Sequence, residues 1–193
     1  MRKLNLITTL LLATLSHGSY AASLSIDYLS GGRGVGPDGV VTAELGDTLQ
    51  FELNMDFSGP DEITLGGGFD INFGPAFAPV DFVFDLVFQS SWLQGFFEAG
   101  RYFNGSFGSF FGFTGPDRVG VLTLEVIAQN GLFVVAPSTT EGNAGPFLSA
   151  ITFLPQIPPD MFGTQVRIVP VPAALWLLLS GLGVLCLRTR PRA

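Results

Sequence analysis

Histidine, cysteine and lysine are almost missing from this chain of 193 residues. The single histidine is His17, the single cysteine Cys186 and the single lysine Lys3, each close to a terminus. The long stretch between them has no imidazole, thiol or amine side chain. Cys–His and Ser–His–Asp nucleophilic chemistry therefore lacks its residues there, and so do His/Cys metal centres and disulfides. Positive charge is scarce as well. Between Ala22 and Ile168 the basic residues are Arg33, Arg101, Arg118 and Arg167, four against all sixteen Asp and Glu, for a net charge of −12. Such a surface repels nucleic acid and anionic lipid, which are bound through Lys/Arg patches. No nucleic-acid partner and no enzyme activity are expected of it.

What the sequence does have sits first at its two ends. Arg2 and Lys3 precede a mostly apolar stretch, Leu4 to Leu15, and Ser19-Tyr20-Ala21 follows with small residues. This is the pattern of a secretory signal peptide spanning 1–21 as a helix, with cleavage after Ala21 and Ala22 as the alternative. At the other end come Val169-Pro170-Val171-Pro172-Ala173, then an apolar run from Ala173 to Leu187, then Arg188, Arg190 and Arg192. The two prolines have fixed φ and push Val169 and Val171 toward extended geometry, and Pro172 suits the first position of a helix. The fifteen apolar residues would span roughly 22 Å as a helix, against a hydrocarbon core of about 30 Å. That is short for a permanent transmembrane anchor. The arginines place the C-terminus in the cytoplasm.

This three-part order resembles the PEP-CTERM sorting signal of Gram-negative bacteria, in its VPxPA form. The resemblance covers residues 169–193: motif 169–173, transmembrane helix 173–187 and basic tail 188–193. It implies recognition by an exosortase, a membrane-embedded cysteine transpeptidase, and removal of the tail after an inner-membrane stage. It further implies a role at the cell surface or in an exopolysaccharide or biofilm matrix. Val171 stands where the name-giving motif has Glu, which leaves the cleavage point open. An ordinary single-span anchor is the alternative.

The body, 22–168, reads as all-β. From Thr48 to Phe57, apolar Leu49, Phe51, Leu53, Met55 and Phe57 alternate with Gln50, Glu52, Asn54 and Asp56. Strict period-two alternation means one buried and one wet face. Similar runs occur at Leu24–Leu29, Val40–Leu45, Phe69–Phe73, Phe82–Phe88, Leu122–Val126, Leu132–Ala136, Phe147–Leu154 and Thr164–Val169. Gly-Pro-Asp turns at 36–38, 59–61 and 115–117 separate some of them. A single antiparallel β-sandwich is expected, with a barrel as the alternative. Leu45-Gly46-Asp47-Thr48, Gly68-Phe69-Asp70 and Leu122-Thr123-Leu124 resemble the strand pattern of cohesin-like modules, which implies a jelly-roll sandwich used for binding.

Candidate sites are few. Gly34-Val35-Gly36-Pro37-Asp38-Gly39 matches G-x-G-x-x-G, but a strand follows it where a dinucleotide site needs a helix. Asp81 with Asp85, and Asp61 with Glu62, are the nearest to paired carboxylates, and read as solvated strand-face charges. A Ca²⁺ ion would draw on Asp38, Asp47, Asp61, Glu62 and Asp70, though no D-x-D-x-D-G loop is present. The Phe-rich segment from Gly95 to Gly115 has two readings. Phe107, Phe110 and Phe111 could stack on a saccharide, or the segment is a glycine-interrupted strand pair that feeds aromatics to the core. Asn104-Gly105 reads as a hairpin turn within it.

Overall fold

The computed structural model describes residues 22–59, 63–85, 88 and 94–170. The signal peptide and the segment from Val171 onward, with its proposed helix, lie outside them. Among the described residues thirteen strands form two sheets packed face to face. The smaller sheet runs β12 (Asp160–Phe162), β1 (Ser23–Gly31), β4 (Thr48–Asp56), β9 (Asp117–Val126) and β6 (Phe77–Phe84). The larger runs β2 (Gly34–Val35), β3 (Val41–Ala43), β13 (Thr164–Ile168), β10 (Gly131–Thr139), β5 (Thr64–Asn72), β8 (Arg101–Phe113) and β7 (Gln94–Glu98), with β11 (Leu148–Ser149) on β5. Two separate sheets make this a sandwich and not a barrel. Among the described residues no helix is long and apolar enough to cross a membrane.

The alternation read in the sequence sets the faces. Leu49, Phe51, Leu53 and Met55 of β4 are buried, as are Leu122, Leu124 and Val126 of β9 beside it. On β5, Phe69 and Ile71 point inward to meet them. Phe69 lies 6.0 Å from Phe82 and 6.3 Å from Phe84 of the opposite sheet, and 6.1 Å from Tyr102 and 6.2 Å from Phe107 of its own. This ring is thus the point where both sheets meet.

Several expectations are corrected. The sheets are not purely antiparallel: β1 pairs with β12, and β3 with β13, in parallel. Long connections bring these short strands alongside, and strand periodicity carries no sign of direction. The run from Phe147 to Leu154 is not a full strand. Only Leu148 and Ser149 pair, while the Ser149 hydroxyl accepts the N–H groups of Ile151 and Thr152 and bends the chain. Ile151, Phe153 and Leu154 are exposed as a result. In β10, Leu132 and Val134 face outward and Val135 inward.

Asn104-Gly105 is not a hairpin turn. The turn between β7 and β8 is at Ala99-Gly100, and Asn104 lies inside β8 with φ of 60°. There β8 has one more residue than β5, since Phe69 pairs with Gly105 and Ile71 with Tyr102. Asn104 is the bulge residue. Its N–H donates to the buried Asp70 carboxylate at 2.8 Å, and its side-chain oxygen accepts the Ala144 N–H at 2.8 Å. The Asn-Gly pair supplies a left-handed residue to a bulge, which uses the same chemistry as a turn.

Truncating Phe69→Ala should cost about 3–5 kcal/mol, because the cavity opens between two sheets that cannot close over it. The urea midpoint, at unchanged m-value, measures it.

Candidate functional site

The charged side chains come first, because they decide what acid–base chemistry is available. Each arginine of the body meets acids. Arg118 holds Asp85 through two hydrogen bonds, 3.0 and 3.2 Å, with Glu52 at 3.8 Å, so one guanidinium spans β4, β9 and the end of β6. Asp85 holds that guanidinium above its ordinary pKa. Arg101 lies among Asp70, Glu98 and Glu141 and over the Phe103 ring, 4.3 Å from its centroid. Arg167 meets Asp38 at 2.9 Å, and Arg33 meets Glu44. The Val40 N–H first, and then Arg167, lower the pKa of Asp38.

These pairings separate the acids grouped above as ligands or bases. Asp38 is on Arg167, Asp47 accepts the Glu44 N–H, and Asp70 accepts that of Asn104. Asp61 and Glu62 lie outside the described residues. Among the described residues no three His, Cys, Asp or Glu come together to hold a metal ion. Asp81 and Asp85 also do different things: Asp85 is bound to Arg118, while Asp81 is exposed. The G-x-G-x-x-G stretch is a β2–β3 hairpin in which the Gly39 N–H donates to the Gly36 carbonyl. It is a turn and offers no helix N-terminus.

The three phenylalanines proposed to stack do not act together. Phe107 is 3% exposed and packs on Phe88, Phe113 and Phe147, whereas Phe110 and Phe111 are 86% and 98% exposed. The register explains the split. Gly66 pairs with Gly108 and Thr64 with Phe113, so β8 has three residues more than β5 between those points. The surplus bulges outward and carries Phe110 and Phe111 with it. An apolar hollow of about 550 Å³ lies beneath, between β8 and the chain around Ala144 and Pro146.

The first and last described residues, Ala22 and Pro170, lie at opposite ends of the sandwich. Ser23 pairs with Asp56, next to Phe57, whose N–H donates to Thr114 beyond the tip of β8. Ile168 pairs with Gly131, and β10 reaches β5 only from Ala136, opposite Asn72. The chain thus exits past the Asn72 end of β5, while Phe110 and Phe111 sit at its Thr64 end, roughly 30 Å away for nine residues of strand. Val169 makes the last backbone bond, to the Ala43 carbonyl at 2.8 Å, and Pro170 is exposed. Ala22 accepts the Asp160 N–H, and Ala21 lies outside the described residues. So do Val171, Pro172, Ala173, Arg188, Arg190 and Arg192.

One feature was missed in the sequence. Edge strands β6 and β7 flank an open cleft of about 410 Å³ lined by Asp81, Phe82, Gln94, Phe96 and Tyr102, among others. The Tyr102 hydroxyl is buried beside it and has no hydrogen-bond partner among the described residues. Burial, and then Asp81, hold its pKa above the usual phenol value, so it stays protonated. A buried donor left unsatisfied costs about 1–3 kcal/mol. The available signal was the lone hydroxyl: Tyr102 is the one Tyr in a segment otherwise filled with Phe.

No family model and no curated protein matches the chain by sequence. Solved structures match it by shape. It is similar to a non-cellulosomal cohesin from the hyperthermophilic archaeon Archaeoglobus fulgidus, with a TM-score of 0.56 at 10% identity, over 80% of this chain and 95% of that one. The fold is cohesin-like. CaCohA2 from Clostridium acetobutylicum aligns with a TM-score of 0.53 at 10% identity, over 77% and 91% of the two chains. A chain of a type I cohesin–dockerin complex from Clostridium thermocellum aligns at 0.50 and 11% identity, over 75% and 99%. At these identities the shared property is the fold.

The split within β8 of this cohesin-like sandwich is measurable. Phe107→Ala should cost about 3–5 kcal/mol. Phe110→Ser and Phe111→Ser should each shift stability by no more than about 0.5 kcal/mol. Equal losses in chemical denaturation of the three variants would contradict the split.

Proposed function

We propose that this chain is a non-enzymatic exported protein whose cohesin-like sandwich is a binding module at a bacterial cell surface or in an extracellular matrix, delivered there by the segment from Val169 onward. The observation that carries this reading is the exit of the chain. Val169 is still bonded to Ala43, and Pro170, directly after it, is exposed. A processing enzyme could therefore reach Pro170, at the start of the motif, without unfolding the domain. The Val-Pro-Val-Pro-Ala motif, the fifteen-residue apolar run and the terminal arginines fit an exosortase substrate held briefly in the inner membrane with its C-terminus in the cytoplasm.

The binding role is supported by what surrounds the charges. The arginines of the body are occupied by carboxylates, which leaves a solvated acidic shell. Related support is that a cohesin of this fold occurs in a complex with a dockerin. A macromolecular partner, either a protein or an exopolysaccharide of the matrix, is thus the expected target. The exposed apolar end at Phe110 and Phe111 lies at the opposite end of the sandwich from Pro170 and, with the tail in the membrane, would be presented outward.

Intact-mass measurement of the full chain in a Gram-negative host, with and without a co-expressed exosortase, tests the delivery. The mature protein should lose Leu187 and Arg190 only when the exosortase is present. Pro170→Ala combined with Pro172→Ala should leave the tail attached. A fully exported product that retains Arg190 in every case would make the segment a permanent anchor.

A further inference from the structure

The end of the sandwich opposite Pro170 is built from segments without charge. Residues 63–68, 106–116 and 142–159 contain no Asp, Glu, Lys or Arg. Phe111 stands 98% exposed on the outward bulge of β8, with Phe110 exposed beside it. Gly112 follows, and a Cβ on it would lie 3.1 Å from the Cβ of Ala150. The turn that Ser149 holds therefore abuts the bulge, and it brings exposed Ile151, Phe153 and Leu154 to the same end, with exposed Ile157 just beyond. Under the Phe110 and Phe111 rings lies the hollow of about 550 Å³, with Leu65, Phe107, Ala144, Pro146 and Leu148 among its walls.

The exposed side chains named here hold roughly 800 Å² of apolar surface, at about 150–250 Å² for each large ring. The largest patch of an ordinary monomer is about 300–600 Å², whereas each partner in a stable interface gives about 800 Å². Charge and shape say which partner fits. Two copies of a body with a net charge of −12 repel each other, and least where charge is missing. A protruding ring beside an apolar hollow is also self-complementary under a two-fold axis, knob into hole in both directions. The hollow has room for a phenyl ring, since an apolar cavity of about 150 Å³ already takes up benzene. We propose that this end pairs with the same end of a second copy of the chain, Phe111 of each seated in the hollow of the other. The contact closes on itself at two copies. It goes beyond the delivery reading and stands whether or not the tail is processed.

Sedimentation of the full chain over a concentration series tests the pairing. The chain is held one copy per nanodisc of neutral lipid, so that neither detergent nor tail-to-tail contact intervenes. A chain that enters no disc is sedimented free, so failure of the delivery reading leaves this test intact. The particle mass should double with rising concentration and go no further, and added salt should tighten the pair by screening like charges. Phe110→Ser with Phe111→Ser, which leaves the fold intact, should raise the dimer Kd by about a hundredfold. Leu65→Glu, which puts a charge in the hollow, should do the same with both phenylalanines in place. The proposal is overturned if the parent stays single at every concentration, whether or not its rings then bind added neutral vesicles. It is equally overturned if association continues past two copies, weakens with salt, or survives in the Phe110→Ser, Phe111→Ser variant.

Discussion

The contact of Phe69 with rings from both sheets is the constraint on which the rest depends. A sandwich needs its two inner faces to interdigitate, and here aromatic rings do much of that at the β6–β8 side. Phe82 and Phe84 come from one sheet, and Phe69, Tyr102 and Phe107 from the other. The cluster continues through Phe88, Phe113 and Phe147 toward the end of the molecule where β8 turns back. Rings this large leave little freedom in how the edge strands sit. They hold β6 and β7 apart at one side, and the cleft with Tyr102 is the space left between them.

Strand β8 converts that packing into surface features. Its thirteen residues face a shorter β5, and the surplus is taken up in two places. A one-residue bulge at Asn104 lets Tyr102 and Phe107 both reach the core, tied to Asp70 and to Ala144 by hydrogen bonds. A three-residue surplus near the tip throws Phe110 and Phe111 into solvent. One strand thus supplies core rings packed on Phe69, a buried hydroxyl and an exposed apolar end. Charge is arranged with similar economy. Exposed ion pairs contribute little to stability, but Arg118 and Arg101 each gather acids from several strands, which eases repulsion in a strongly acidic shell.

Much of this was legible in the residues, and the reasons differ from element to element. The faces of β4, β5 and β9 follow from alternation alone, since a strand with one apolar side has one way to sit on a core. The core reading of the Phe-rich segment held for Tyr102, Phe107 and Phe113. It did not extend to Phe110 and Phe111, because a bulge depends on the length of the partner strand. The Phe147–Leu154 run looked like a strand by composition, yet Ser149 bends it locally. The cleft was invisible because Asp81, Gln94 and Tyr102 come from three strands, and a missing hydrogen bond is a property of surroundings.

The amino-acid sequence by itself determined the chemistry that is absent and the kind of fold. A body without histidine, cysteine or lysine excludes whole classes of site, and period-two alternation demands sheets with one buried face. Both are local properties that no tertiary arrangement can change. Tertiary structure decided which strands run parallel, which phenylalanines are buried and which acids are bound by arginine. It also decided that one buried hydroxyl would be left over. Each of these depends on which neighbor a residue meets, and that is set by pairing between strands far apart in the chain.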